Sequence, residues 1–310
     1  MDWLRAGASR REFERFVTDR TGPLLRTAHL VAGNLAEAED LVQETLLRVA
    51  RRWPKVRAME HPAAYARKIL IIDTRRSVVL PEGADVVKIA AAMNPAMSAW
   101  VALRHRVPIE AGQSVLVLGA TGNAGQMAIQ VARRLGAGRV VGAGRDQARL
   151  ATLPGIGADT TVALTRDADA TAAALADAAS EVDLVIDYLW GKPATDTIMA
   201  LLRARADRSR ALNWIQIGAV AGPEIVLPSA ALRSANFRLQ GNGQGAVPAS
   251  GYLAELPSLI DEIDNGHIAV TARPAPLSDV ETVWKEPEVP GVRTVLVPMA
   301  PGGHADGLSK

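Results

Sequence analysis

Apolar positions recur at helical spacing through the first 77 residues, then change to short continuous runs separated by helical stretches. Phe13, Phe16 and Val17, followed by Leu24, Leu25, Ala28 and Leu30, line one side of a helix. Gly33-Asn34 breaks that pattern, and Asn34 with Glu37 predicts a capping box for the next helix. This helix points Ala38, Leu41, Val42, Thr45, Leu46 and Val49 to one side and Glu37, Glu39, Asp40, Gln43 and Glu44 to the other. Pro54 punctuates, and a last helix is expected from His61-Pro62 through Tyr65, Ala66, Ile69 and Ile72 to about Ser77. The segment therefore reads as a small all-α bundle.

The character changes at Val78-Val79-Leu80-Pro81-Glu82-Gly83, where Pro and Gly mark a junction. Ala84 to Leu103 reads as a helical stretch interrupted at Asn94-Pro95. Strands are then predicted at 114–118, 139–143, 160–164, 182–188, 213–218 and 237–241. Helices are predicted near 124–136, 146–153, 168–179, 193–205 and 229–235. Strict alternation of strand and helix implies an α/β fold with a doubly wound parallel sheet, whose ligands bind outside the carboxyl ends of the strands. Residues 78–270 would form this domain with its leading helix, 271–298 a further strand-bearing segment, and 299–310 a disordered tail rich in Gly and polar residues.

The chemistry concentrates where the first strand, Val115 to Leu118, runs into Gly119-Ala120-Thr121-Gly122-Asn123-Ala124-Gly125. Small residues let the backbone approach a pyrophosphate, and the N-terminus of the following helix supplies N–H donors. Alone the glycine spacing is weak evidence in a chain with 26 glycines, but strand, turn, amphipathic helix and second strand follow in the order a dinucleotide fingerprint requires. The end of the second strand selects the cofactor. A carboxylate there would accept from a ribose 2′-OH and repel a 2′-phosphate; this chain has Gly144 followed by Arg145. That favours NADPH over NADH, with Arg145 pairing with the phosphate; the competing reading is that Arg145 only starts a helix capped by Asp146.

Composition narrows the possibilities further. The chain has no cysteine, which excludes disulfides, thiol catalysis and a Cys-ligated zinc, and its five scattered histidines form no metal pattern. No run of about 18 uninterrupted apolar residues predicts a membrane span, and the N-terminus lacks the layout of a signal peptide, so a cytoplasmic location is expected. Charge is uneven: residues 1–77 hold 15 basic and 10 acidic side chains, whereas the rest holds 20 and 23. From Arg51 to Arg76 eight bases stand against two acids, with Trp53 and Tyr65 among them. Interleaved bases and aromatics suit single-stranded nucleic acid; a solvated basic face of a helical bundle is the simpler alternative.

Ala38-Glu39-Asp40-Leu41-Val42-Gln43-Glu44-Thr45, followed by Arg48, Arg51-Arg52-Trp53 and His61-Pro62-Ala63-Ala64-Tyr65-Ala66-Arg67-Lys68, resembles region 2 of extracytoplasmic-function sigma factors over about residues 10–77. The resemblance implies that Asp40, Gln43 and Glu44 meet RNA polymerase core, and that Arg51, Arg52, Trp53, Tyr65, Arg67 and Lys68 meet promoter −10 DNA. Nothing after Ser77 resembles the region 4 that such factors carry.

Residues 80–298 resemble the zinc-independent, quinone-oxidoreductase-like branch of the medium-chain dehydrogenase/reductases. The resemblance rests on Leu80-Pro81-Glu82-Gly83-Ala84, the glycine turn, Val182 to Gly191, Ile215-Gln216-Ile217-Gly218, Arg238-Leu239-Gln240-Gly241-Asn242 and Thr294 to Pro298. It implies a Rossmann domain that binds NADPH without a metal and can pair into a homodimer. Gly218 would lie near the nicotinamide, Gly241 and Asn242 near its carboxamide, and Tyr188 and Trp190 above the ring or in the core. It also implies hydride transfer to a quinone, enone or carbonyl substrate. The family's barrel-like catalytic domain precedes its nucleotide domain, and here the sigma-like helices stand in its place. Weak or absent turnover follows; residues 271–298 would be a remnant of that catalytic domain, with the strands near 268–298 lacking partners. Three readings therefore stand side by side: a compromised NADPH oxidoreductase, a transcription protein acting through residues 10–77, and a non-functional fusion of two truncated genes.

Overall fold

The computed structural model describes residues 7–32, 35–71, 78–243, 245–287, 289 and 291–298. The contacts divide the chain after Val79 into two compact units.

The first unit contains α1 (Gly7–Ala32), α2 (Leu35–Arg51), α3 (Trp53–Val56) and α4 (Pro62–Ile71). Leu24 and Ala28 from α1 meet Ala38, Leu41, Val42 and Val49 from α2 and Ala66 and Leu70 from α4 in one apolar core. These are the positions that helical spacing sends to one side of each helix. The expected capping box at Asn34 and Glu37, and the helix end between Ile72 and Ser77, lie outside what is described.

The second unit opens with α5 (Val86–Val101), capped by Asp85, whose carboxylate accepts from the N–H groups of Val87 and Lys88. The expected break at Asn94-Pro95 does not occur: Pro95 sits inside a continuous helix and is buried. A π-helical turn, Ala102–Arg106, extends it. Together Val86–Arg106 is long and apolar enough to cross a membrane by length and composition, which a search for uninterrupted apolar runs overlooks; more than half of it is buried within the unit. It packs against α6 (Asn123–Arg134) and α11 (Ala249–Asp264).

Six parallel strands form the sheet: β1 (Ser114–Leu118), β2 (Arg139–Gly144), β3 (Thr160–Ala163), β4 (Leu184–Asp187), β5 (Leu212–Gln216) and β6 (Phe237–Gly241), in the spatial order β3-β2-β1-β4-β5-β6. The order reverses between β1 and β4, so the crevice at their carboxyl ends is where such sheets take ligands. β1, β2 and β4 are buried on both faces, as continuous apolar runs in parallel sheets are. On one face Leu116, Leu118 and Val141 pack with Leu175 of α8 (Ala168–Ala179), Ile198 and Leu201 of α9 (Gly191–Ala204), and Trp214. Two short helices, α7 (Gln147–Leu150) and α10 (Ser229–Arg233), complete the crossovers.

The strands near the carboxyl end do not lack partners. β7 (Thr271–Pro276) and β8 (Val292–Val297) pair with each other in parallel, joined through the short helix α12 (Val280–Val283), and both pack on α5. The helix α11 was not expected from the sequence; its apolar face consists of Leu259, Ile260 and Ile263, with Pro257 inside it obscuring the helical signal.

Candidate functional site

The glycine turn closes β1 with a fold-back that only glycine allows. Gly119 has φ +83°, and a Cβ on Gly125 would collide with the Gly119 carbonyl oxygen and lie 2.7 Å from the Ala120 Cα. Gly119 and Ala120 donate to the Ala143 carbonyl of β2, which pins the turn to the neighbouring strand. Gly122 is the N-cap of α6 and has no side chain to cap it. The first N–H groups of that helix have no partner within it, and Gly122 and Asn123 at its start line a cleft.

Two arginines that the sequence reading did not single out converge here. Arg149 of α7 donates from Nη1 to the Thr121 carbonyl at 2.5 Å, while its Nη2 is buried without a partner. Arg293 of β8 has a buried, unpartnered Nε. Both line a cleft of about 830 Å³ with Gly122, Asn123, Arg273 and Trp284. Arg273 is already engaged by Glu286 and Thr294. For Arg149 the signal was present, four residues after Arg145. Arg293 is brought to the turn only by tertiary packing.

A second cavity of about 420 Å³ lies beyond the ends of β2 and β3. Arg145, Arg166 and Lys192 line it together with Leu164, Leu175 and Leu189. Arg145 is exposed. Gly144 ends β2, and a Cβ on it would lie 2.6 Å from Thr121 Cγ2, so the glycine also makes room for the turn.

The chain's other expected positions lie at the ends of β4, β5 and β6. Asp187, fully buried at the end of β4, accepts from the Leu189 and Trp190 N–H groups and from the Trp214 indole. Burial raises its pKa above the usual carboxylate value against those hydrogen bonds. Trp190 is held at φ +54° and ψ −158°, a conformation rare outside glycine. Its ring packs against the core rather than standing free. Tyr188 is buried too; its hydroxyl meets Ser98 Oγ at 2.9 Å, and burial pushes its pKa up.

Gly218 follows β5 so closely that a Cβ there would lie 2.7 Å from the Tyr188 carbonyl oxygen. Gly241 ends β6, and Asn242 follows it, 5% exposed. Asn242 donates from its backbone to Gln216 O and from Nδ2 to Ser98 O; its Oδ1 is buried without a partner. Among the described residues no group of three or more His, Asp or Glu comes together as a metal site.

In the helical unit the expected surface divides. Asp40 and Gln43 are exposed on α2, and Glu44 forms an ion pair with Arg48 at 2.9 Å. Arg51, Arg52 and Arg67 are exposed, and Arg52 donates to the Tyr65 hydroxyl at 3.4 Å. Lys68 lies on α4. Trp53 departs from the expectation of a base-stacking ring. It is 2% exposed, wedged against Phe13 and Phe16, and its indole donates to the Ser9 carbonyl. In this fold it is a core side chain, because burying its large ring anchors α1 to α3.

Comparison with known proteins resolves the same two segments. Residues 16–76 match the family model Sigma-70 region 2, and residues 124–245 match the model Zinc-binding dehydrogenase. A probable NADPH-dependent quinone reductase of Emericella nidulans is 29% identical over 293 residues, spanning 91% of this chain and 81% of that protein. Among solved structures, the quinone oxidoreductase of Pseudomonas syringae aligns with a TM-score of 0.57 at 22% identity, over 71% of this chain and 67% of that one. The quinone oxidoreductase of Thermus thermophilus, whose structures include an NADPH complex, aligns with a TM-score of 0.53 at 25% identity, over 67% of this chain and 64% of that one. This chain thus covers about two thirds of the length of these solved neighbours. The chain is thus similar to sigma-70 region 2 over residues 16–76, and its second unit shares the fold of quinone oxidoreductases.

Proposed function

We propose that residues 80–298 bind NADPH as a quinone-oxidoreductase-like domain and that turnover of a quinone, enone or carbonyl substrate is weak or lost. One observation carries the binding half of this reading. Two buried guanidinium nitrogens, Arg149 Nη2 and Arg293 Nε, have no partner in a cleft that also receives the N-terminus of α6. Unpaired buried donors are costly, and a pyrophosphate would satisfy both. The residues present therefore fit the cofactor.

Gly119, Ala120, Thr121, Gly122, Asn123, Ala124 and Gly125 would cradle the pyrophosphate. The apolar wall of Leu164, Leu175 and Leu189 suits an adenine, and Arg145, Arg166 and Lys192 give that cavity the cationic character a 2′-phosphate needs. Gly144 keeps a carboxylate away from it. Gly218 and Gly241 leave room for the nicotinamide end, and the free Asn242 Oδ1 is an acceptor for a carboxamide N–H. A bound nicotinamide would supply a hydride; the chain's part is to hold it and exclude water.

The reading of lost turnover rests on the order of segments and on the solved neighbours. The chain covers 67% of one solved neighbour, against 81% of the curated quinone reductase, and a helical unit similar to another family precedes this domain. The part of the substrate cleft that a barrel-like domain would form has no counterpart in that reading. The second proposal concerns residues 10–77: Asp40, Gln43 and Glu44 contact RNA polymerase core, and Arg51, Arg52, Tyr65, Arg67 and Lys68 contact DNA. Its support is the family match over residues 16–76 and the exposed carboxylate of Asp40 on α2. A non-functional fusion is the third reading, in which one rearrangement removed the end of one parent and the start of the other.

Fluorescence titration with NADPH and NADH, run beside a quinone-reduction assay on the full chain, tests the first proposal. Tight NADPH binding with little reduction is the expected result. Absence of binding would remove the cofactor reading altogether.

A further inference from the structure

We propose that Arg106, on the π-helical turn after α5, is a positioning residue that sets the nicotinamide end of the cofactor site. The inference rests on the NADPH-binding reading above and names a residue that neither motif nor spacing marks. Its Nε donates to the Gly241 carbonyl at 3.0 Å and its Nη1 to the Ala246 carbonyl at 3.2 Å. One planar guanidinium thereby ties both ends of the loop that carries Asn242. The tie is reciprocated: Gln240 Nε2 donates to the Arg106 carbonyl at 3.3 Å. Tyr252 adds a third hold, donating to the Gly243 carbonyl at 3.1 Å.

The turn that carries Arg106 is itself anchored. Its neighbours Arg104 and His105 both contact the carboxylate of Glu255 on α11, at 2.6 and 2.7 Å, and the Trp100 indole donates to the same group. A π turn has one more residue per hydrogen-bonded loop than an α turn, so consecutive side chains leave the helix at altered angles. Here that geometry sends Arg104 and His105 to α11 and Arg106 to the strand end. Such turns recur at functional sites.

Asn242 is the beneficiary. Its amide is spent on Ser98 O and its backbone N–H on Gln216 O, which leaves Oδ1 as a single buried acceptor of fixed direction. An acceptor with no freedom to turn rewards only a correctly placed ligand donor. Loosening the loop ends would let it swing, with no effect on the glycine turn at the other side of the crevice.

The test separates the two ends of the cofactor. Affinities for NADPH and for 2′,5′-ADP, which lacks the nicotinamide half, are measured on the full chain for wild type, Arg106→Ala and Arg106→Lys, with melting curves as a check on folding. Arg106→Ala is expected to weaken NADPH about tenfold, the equivalent of one good hydrogen bond, and to leave 2′,5′-ADP unchanged. Arg106→Lys, which can reach one carbonyl but not both, should fall between and serves if the alanine variant does not fold. Equal losses for both ligands, or no loss for either, would overturn the assignment. Wild type that binds neither ligand would instead overturn the NADPH reading on which it rests.

Discussion

At the residue scale the site is a contest between space and charge. Arg145 is exposed, faces an apolar cavity, and shares it with two other cations. Arg145→Ala should cost NADPH about 1.5–3 kcal/mol of binding and spare NADH, which has no 2′-phosphate. Equal losses in a two-cofactor titration would contradict that role. Arg149→Ala should behave differently, weakening NADPH and NADH alike, because a pyrophosphate is common to both. Gly125 is limited by space alone. Gly125→Ala forces a methyl group into the Gly119 carbonyl and should lower unfolding stability by about 2–4 kcal/mol while abolishing cofactor binding, as denaturant melts and the same titration would show. Trp190 shows the reverse arrangement, a strained backbone held by the Asp187 carboxylate and by packing of its ring.

At the scale of elements, α5 is the hub of the second unit. It packs on α6, on α11 and on the paired strands β7 and β8. The π turn that extends it is tied to α11 through the Glu255 carboxylate. Burial raises the Glu255 pKa, but hydrogen bonds from His105 and Trp100 and the charge of Arg104 outweigh it, and the net shift is downward from 4.5. A carboxyl with a lowered folded pKa contributes stability that is present above its unfolded value and is lost as pH falls through the folded one. Acidification below pH 4.5 should therefore loosen α11 from α5. Glu255→Gln should be less stable at neutral pH and show a flatter acid limb in a circular-dichroism titration. An unchanged acid limb would place the pH dependence elsewhere. The β7–β8 pair also belongs to this scale. Expected as strands without partners, they satisfy one edge each by pairing in parallel, and that packing carries Arg293 to the glycine turn.

For the molecule as a whole, the two units can be interrogated separately. Reversing charge at Asp40 and Glu44 should abolish a polymerase-core pull-down while leaving NADPH affinity within error. Loss of cofactor binding in that variant would show that the halves are coupled. The same preparation, assayed with NADPH and a quinone, reports whether the second unit supports any turnover.

Much of this was legible in the sequence, and for a physical reason. Parallel strands buried on both faces must be continuous apolar runs, and a turn that admits a phosphate must be built of small residues, so β1, β2, β4 and the glycine turn are each written in a short local stretch of sequence. The alternation of the first helices is local in the same way. What depended on distant contacts was not legible. Trp53 reads as a surface aromatic among bases, yet Phe13 and Phe16 enclose it. Pro95 reads as a helix break, yet buried packing carries the helix through it. Arg106, Arg149 and Arg293 lie 187 positions apart at the extremes, and nothing in their spacing joins them. Only the tertiary structure decided that, among the described residues, Arg149 and Arg293 keep a buried guanidinium nitrogen unpaired beside the glycine turn, because that depends on which carbonyls and carboxylates the fold leaves within reach.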